Sequence, residues 1–391
     1  MRLAYICADR GITVPSDSPG SVHFEALLRA FQRAGHRVTA ILALGEGPVP
    51  GADHVVRLRP SEAADRLRVA LTDGGRATLA RELWAALLNP ALEAALEAEH
   101  RRERLDAVLE RLSLWSFAAP FFCRRNGIPH ALEVNSHLPS EQVRHREHEL
   151  VDAFTAVHDL TVAQAGVLFC VSRPLADRYR ELTSAPVEVL PNGADVDRFR
   201  PGLRCPVRPA WAEGFVAGFI GGLRPWHDLD TVAAAAGLLP EGARVVMYGG
   251  GAGRERLLQT AAARSGRLVL PGRVAVADAP GLMGWFSAGL VSHEPGESYF
   301  SPLKLRDALA SGLPVLVPAG TEGDELVPEG LKAAYRAGDP ESLAAAVLRL
   351  RERGSGPDVA SGARALAVSW TWDHVAARIV AELGSAARPG A

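Results

Sequence analysis

Lysine is nearly missing from this chain: of its 43 basic residues, 41 are arginine, and only Lys304 and Lys332 remain. With abundant alanine, glycine and proline, that bias points to a GC-rich genome, so one arginine says little about function and a surviving lysine says more. Cysteine is scarce too. Cys7, Cys123, Cys170 and Cys205 lie far apart with no C-x-x-C or Cys/His ligand spacing, which excludes a disulfide framework or a zinc site and points to reduced thiols in the cytoplasm. No run of 18 apolar residues occurs, and Met1 to Cys7 carries no cleavage-type segment. The sequence therefore reads as neither membrane-spanning nor secreted. Clustered positive charge is absent as well: a net charge of -2 and a pI near 6.6 leave no footprint for nucleic acid or an anionic membrane. No H-E-x-x-H, G-x-S-x-G or P-loop is found.

What is present is a repeated strand-helix pattern. At 391 residues the chain is too long for one comfortable domain, and two of roughly 150 to 200 residues are expected. Arg2 to Ala8 reads as a buried strand, Asp9 to Gly20 as a loop, Val22 to Ala34 as an amphipathic helix, and Arg37 to Ala43 as a second strand. That is a βαβ unit. Residues 61 to 112 read as helices, and His130 to Val134 and Val167 to Val171 as strands. After a Pro/Gly cluster at Phe199 to Gly202 the alternation resumes. Phe215 to Ile220, Arg244 to Tyr248, Leu268 to Leu270, Gly289 to Ser292 and Pro314 to Val317 are strands; 229 to 239, 254 to 263, 303 to 311 and 340 to 352 are helices. The fold class is α/β, with two Rossmann-like doubly wound domains and binding loops at the carboxyl ends of both sheets.

Three loops could hold an anion. Ser18-Pro-Gly-Ser-Val22 leads into a helix N-terminus, where Gly20 would let a phosphate approach the backbone, although taken alone the loop reads more simply as a serine-capped helix. Gly221 and Gly222 form a tight turn after a strand, projecting Arg224 and His227, unless these are ordinary surface residues. Gly296 to Asp307 runs from a loop into a helix: Ser301 is its expected cap, Pro302 suits its start, and Lys304 adds a cation to the free amides. Asp307, one turn on, could accept from ribose hydroxyls. Asp228-Leu-Asp230 and Asp195-Val-Asp197 spell D-x-D but read as caps rather than metal ligands. Arg144 to His148 and Arg101 to Arg104 read as solvated helix faces, and Lys332 as part of a surface turn.

Taken in order, several segments resemble the retaining GT-B glycosyltransferases of family 4. Val189-Leu-Pro-Asn-Gly-Ala-Asp-Val-Asp-Arg-Phe199 is similar to I-P-N-G-V-D-x-x-x-F, Cys170-Val-Ser-Arg-Pro-Leu to V-S-x-x-L, and Leu132-Glu-Val-Asn135 with Leu138-Pro and Glu141 to E-V-N-x-x-L-x-x-E. Gly221 to Asp228 resembles G-S-L-K-P-W-H-G, Tyr248-Gly-Gly-Gly251 a G-x-G turn, and Leu270-Pro-Gly-Arg-Val274 a base-binding G-x-V. Tyr299 to Val315 closely matches Y-F-S-P-L-K-L-F-E-Y-M-A-C-G-x-P-V, and Trp372-Asp-His-Val375 resembles a terminal W-x-x-V helix.

The resemblance implies an acceptor-binding domain over 1–195, a donor-binding domain over 196–371, and a helix over 372–391 that returns to the first. It implies a nucleoside diphosphate sugar, of UDP or GDP, as donor. Gly20 and Ser21 would face its pyrophosphate from one side, and Arg224, His227, Lys304 and the amides near Ser301, Pro302 and Leu303 from the other. Gly222 and Gly249 would shape the turns, Gly272, Arg273 and Val274 would meet the base, and Asp307 the ribose. Two glutamates eight positions apart are usual in the family; here Tyr299 and Asp307 stand there, so Glu297 or Glu294 is expected to reach the sugar, or the sugar is bound without a carboxylate. The usual Arg and Lys of the first turn are Gly222 and His227, with Arg224 supplying the fixed charge and His227 acting as a cation or as a neutral donor. His137 is a candidate to contact sugar or acceptor, or else a plain loop histidine.

The implied activity is metal-independent, cofactor-free transfer of a hexose-type sugar, with retention, to a small polar acceptor through O, N or S. Specialised metabolism, antibiotic biosynthesis included, in a GC-rich bacterium is the implied setting. A degraded family member that only binds a nucleotide-sugar or supports a partner enzyme is the alternative. Neither nucleic acid nor stable membrane insertion is expected, and a homodimer is admissible.

Overall fold

The computed structural model describes residues 1–251, 253–296 and 301–386. The described chain divides into two compact units, one formed by Met1–Pro191 with the chain from Asp373 onward, the other by Asn192–Trp372.

The first unit is built on seven parallel strands: β1 Arg2–Cys7, β2 Arg37–Leu42, β3 His54–Arg57, β4 Ala107–Arg111, β5 His130–Val134, β6 Val167–Cys170 and β7 Val187–Val189, in the order β3-β2-β1-β4-β5-β6-β7. Helices cover both faces, so the central strands read as unbroken apolar runs rather than alternating ones; all but the first residue of β1 and β2 are buried. The order reverses between β1 and β4. In such sheets ligand-binding loops gather at the carboxyl ends beside that reversal. The helix Pro19–Arg33 follows β1 and buries Phe24, Leu27, Leu28 and Phe31. The last helix, Trp372–Ala386, is tied in by Arg33 to Asp373 at 2.6 Å and Arg378 to Glu188 at 3.3 Å.

The second unit has six parallel strands, β8 Phe215–Ile220, β9 Ala243–Tyr248, β10 Leu268–Gly272, β11 Ala288–Leu290, β12 Val315–Pro318 and β13 Lys332–Tyr335, ordered β10-β9-β8-β11-β12-β13. Its reversal lies between β8 and β11. The loops after these two strands carry Arg224 and His227 and the approach to Lys304.

Several expectations are corrected. Residues 61 to 112 are not all helical. After the helix Asn89–Arg102 comes strand β4, held in register with β1 by pairing of Leu3 with Ala107, so the sheet overrides a composition that favours helix. The helix expected over 254 to 263 is two, Gly253–Leu258 and Ala261–Arg264, because Thr260 accepts the Ala263 amide at 3.2 Å and starts a new turn. The stretch Arg144 to His148 is helical only to His145; Arg146 turns away to pair with Glu141 at 2.7 Å. Lys332 does not lie in a surface turn. It opens β13, only 6% exposed, and its ammonium binds Asp324 at 2.8 Å and Glu329 at 3.0 Å.

Candidate functional site

In the second unit the turn after β8 is made possible by glycine. A Cβ on Gly249, whose φ is 157°, would stand 1.9 Å from the Gly221 carbonyl oxygen, and one on Gly251 would stand 2.3 Å from that of Leu223. Only glycine lets these two loops lie together. Their backbones pair, Gly221 N–H donating to Tyr248, Leu223 N–H to Gly250 and Gly249 N–H to Gly272. Arg273 and Val274 follow Gly272, the end of β10, and Val274 packs half-buried against the core. Gly222 is under no such constraint, since a Cβ there would meet only the Arg224 side chain, at 3.3 Å.

A single 3-10 turn, Pro225–His227, brings His227 inward. Its Nε2 lies 3.3 Å from the Lys304 ammonium, its ring packs edge-on to Phe219 at 5.1 Å, and Lys304 Nζ sits 5.0 Å from the same Phe219 ring. Burial first, then the Lys304 charge, pushes the His227 pKa down to about 2. With the ring neutral, its Nε2 accepts from the ammonium. Burial also lowers Lys304, to about 8. Arg224 remains exposed, its guanidinium 6.0 Å from the Trp226 ring. The Glu294 amide donates to the Trp226 carbonyl at 3.0 Å, joining the loop after β11 to this turn. Sequence reasoning missed His293, buried beside Glu294 and lowered mainly by its own burial.

The helix Leu303–Ala310 begins with Pro302 at the cap position and no side-chain cap. Ser301, the expected cap, turns its hydroxyl to Glu322 at 3.3 Å instead. The Leu305 amide donates to the Pro302 carbonyl at 3.0 Å, and no described side chain caps the amides of Leu303 and Lys304, the kind of group that binds anions at helix starts. Asp307, one turn on from Lys304, is half-buried; burial raises it to about 7 against the opposing pull of Arg198. Glu297 and Tyr299 lie outside the described residues. Asp195 receives the Arg198 amide at 3.2 Å and Asp228 starts the helix Leu229–Leu238 while accepting the Gly338 amide at 3.0 Å. No group of three or more His, Cys, Asp or Glu residues is arranged to hold a metal ion among the described residues.

The remaining candidates belong to the first unit. Gly20 and Ser21 lie in the first turn of the helix Pro19–Arg33, which starts three residues earlier than its apolar pattern because Ser18 caps it at the Ser21 amide, 3.3 Å away. The buried Ser21 hydroxyl donates to Glu25 at 3.0 Å and accepts from the Ser16 amide at 2.8 Å, so it is occupied locally. His137 caps the helix Leu138–His145, its Nδ1 accepting the Ser140 amide at 3.2 Å. Burial and the nearby Arg178 lower it to about 4, leaving a neutral ring whose proton sits on Nε2.

A cluster around Glu133 of the E-V-N segment lies at the carboxyl ends of β1, β4 and β5. Glu133, 5% exposed, takes hydrogen bonds from Tyr5 at 2.5 Å, Arg111 at 3.2 Å and Asn135 at 2.8 Å, and contacts His23 Nε2 at 2.5 Å. These partners hold Glu133 ionised, well below the usual carboxylate range, despite its burial. Glu133 and Asn135 stood in the E-V-N segment of the sequence, but nothing there joined them to Tyr5, His23 and Arg111.

At one sheet reversal of a doubly wound unit, two loops and a helix start with no side-chain cap come together around the half-buried Lys304 ammonium. Residues 20–198 match the family model for glycosyltransferase family 4 and residues 214–353 that for glycosyl transferases group 1. The chain belongs to the GT-B glycosyltransferases of the family 4 type. No curated protein sequence matches it. Among solved structures it is similar to a sucrose-phosphate synthase from Thermosynechococcus elongatus, at TM-score 0.70 and 15% identity over 98% of both chains. Anabaena HepE, solved in complex with UDP-glucose, gives 0.71 and 14% over 98% of this chain and 100% of its own. WaaG, a glycosyltransferase involved in lipopolysaccharide biosynthesis, gives 0.66 and 13% over 97% and 99%. No described helix is long and apolar enough to cross a membrane.

Proposed function

We propose that this chain is a retaining, metal-independent glycosyltransferase that moves a hexose-type sugar from a nucleoside diphosphate sugar to a small polar acceptor. The observation that carries the reading is the Lys304 ammonium held at 3.3 Å by a neutral His227, at the start of an uncapped helix. Breaking a glycosidic bond to a diphosphate loads negative charge onto the leaving group. A fixed ammonium and open amides stabilise that charge as it develops, which is where catalysis is gained. Desolvation makes the ammonium more effective here than it would be in water. Arg224 adds a second cation at the rim, Asp307 the acceptor for ribose hydroxyls, and the backbone from Gly272 to Val274 the surface for the base.

The similarity to a structure solved with UDP-glucose supports a nucleotide-sugar donor. The acceptor falls to the first unit, where His137 offers a neutral Nε2 proton near the carboxyl end of β5. A cytoplasmic enzyme of bacterial specialised metabolism fits the composition. The test is a panel of UDP-, GDP- and dTDP-sugars, read by nucleoside diphosphate release and by the anomeric configuration of the product. Release with retained configuration is expected. Binding without release marks a degraded, binding-only member of the family, and inverted product removes the retaining mechanism.

A further inference from the structure

We infer that Arg306 and Glu322 form a positioning pair that sets the geometry of the donor-phosphate segment at Ser301 to Lys304; the inference rests on the donor-site reading above. Arg306 is fully buried on the helix Leu303–Ala310, directly between Leu305 and the candidate ribose ligand Asp307. In the family pattern this position is an aromatic residue. Here its guanidinium hydrogen-bonds Glu322 and stacks 4.0 Å from the Trp370 ring. The same Glu322 oxygen, Oε1, accepts from the Ser301 hydroxyl at 3.3 Å. Ser301 is fixed from its other side by Asn192, whose side-chain amide donates to the Ser301 carbonyl at 2.6 Å and whose backbone N–H donates to the Ser301 hydroxyl oxygen at 3.2 Å.

The chain of contacts therefore runs from the helix that carries Lys304, through Glu322, to the residue just before that helix. It ties the two ends of one turn to a common buried anchor. The Ser301 hydroxyl, removed from the cap position, is spent on this anchor, and no side chain caps the start of the helix Leu303–Ala310.

The pair is poorly explained as a source of stability. Arg306 Nε and Nη1, Glu322 Oε2 and Asn192 Oδ1 are buried with no hydrogen-bond partner. Burial raises Glu322 and lowers Arg306, each toward its neutral form. A buried ion pair with unmet polar atoms is commonly matched or bettered by apolar residues of similar volume. What apolar residues cannot supply is a directional bond to Ser301.

The experiment compares the parent chain, the double variant Arg306→Leu/Glu322→Leu and the single variant Ser301→Ala. Each is measured for melting temperature and for affinity toward uridine, guanosine and thymidine diphosphates by calorimetry. The double variant is expected to melt at or above the parent temperature while losing roughly tenfold in affinity for whichever diphosphate the parent binds. Ser301→Ala, which leaves the ion pair in place, is expected to lose several-fold with an unchanged melting temperature. Arg306→Lys, retaining a cation for Glu322, is expected to recover part of the affinity. Diphosphate affinity within twofold of the parent in Ser301→Ala, or in a folded double variant, overturns the inference while the donor-site reading stands. A parent chain that binds none of the three diphosphates overturns that reading and the inference with it.

Discussion

The Lys304 ammonium and His227 Nε2 are 3.3 Å apart, with His227 in the 3-10 turn after β8 and Lys304 in the first turn of the helix after β11, on either side of the sheet reversal in the second unit. The contact is asymmetric. A neutral ring accepts from a cation whose own charge is partly desolvated, so the ammonium is aimed without being neutralised. A carboxylate in the place of His227 would pair with Lys304 and weaken its hold on a phosphate.

Lys304→Ala is expected to lower kcat/KM for the donor by two orders of magnitude or more. Removing one preorganised donor to developing oxyanion charge costs about 3 kcal/mol in the transition state. The melting temperature is expected to stay level or rise, because burial works against this ammonium. Steady-state kinetics beside a thermal melt check both halves.

The pH dependence follows from Lys304 at about 8 and Asp307 at about 7. Above pH 8 the free protein loses the cation; below pH 7 the carboxyl is protonated and becomes an uncharged, weaker acceptor for the ribose hydroxyls. A narrow bell in kcat/KM is expected between these limits. Arg at 304 stays charged and is expected to extend the alkaline limb, whereas Asp307→Asn is expected to flatten the acid limb. Stability runs the other way for the lysine. Its folded pKa lies below the ordinary lysine value of 10.5, so the unfolded chain binds more protons between about pH 8 and 10.5, and this group's contribution to stability rises over that window.

Gly249→Ala and Gly222→Ala form a matched pair. The first drives a Cβ to 1.9 Å from the Gly221 carbonyl oxygen, a backbone atom that cannot give; the second meets the movable Arg224 side chain at 3.3 Å. A loss of about 3 kcal/mol or more is expected for Gly249→Ala, and under about 0.5 kcal/mol for Gly222→Ala. Urea midpoints distinguish them.

Long strands such as Phe215–Ile220 were legible because both faces are buried and the apolar run is unbroken. The strands His54–Arg57, Val187–Val189 and Lys332–Tyr335 were not, being edge or near-edge, three or four residues long, and in β3 and β7 only half-buried for the most part. Lys304 and Asp307 could be picked out because a helix start announces itself through Ser-Pro and a following cation. The capping role of Ser301 could not be judged that way, since its hydroxyl is claimed by Glu322, far along the chain. The same holds for Lys332 and Arg306: a lone charge in a sequence looks solvated until its partner is found in space. The partners of Glu133, a residue legible only within the E-V-N segment, stayed hidden for that reason too.

Glu133 gives the sharpest stability prediction. Its carboxylate is held by His23, Arg111, Tyr5 and Asn135 in a site only 5% exposed, so its folded pKa is far below the ordinary glutamate value of 4.5. A depressed carboxylate contributes stability that is present in full above its unfolded pKa and is lost as pH falls toward the folded one. Glu133→Gln keeps the shape but leaves the buried Arg111 facing an amide, and breaking such a pair costs about 3 to 5 kcal/mol near neutral pH. The variant is expected to melt well below the parent at pH 7. The gap should close on acidification below about pH 4.5, where only the parent loses this contribution. Melting curves from pH 7 down to pH 3 test it: a difference that stays constant across that range would mean that the carboxylate's charge is not what holds the carboxyl ends of β1, β4 and β5 together.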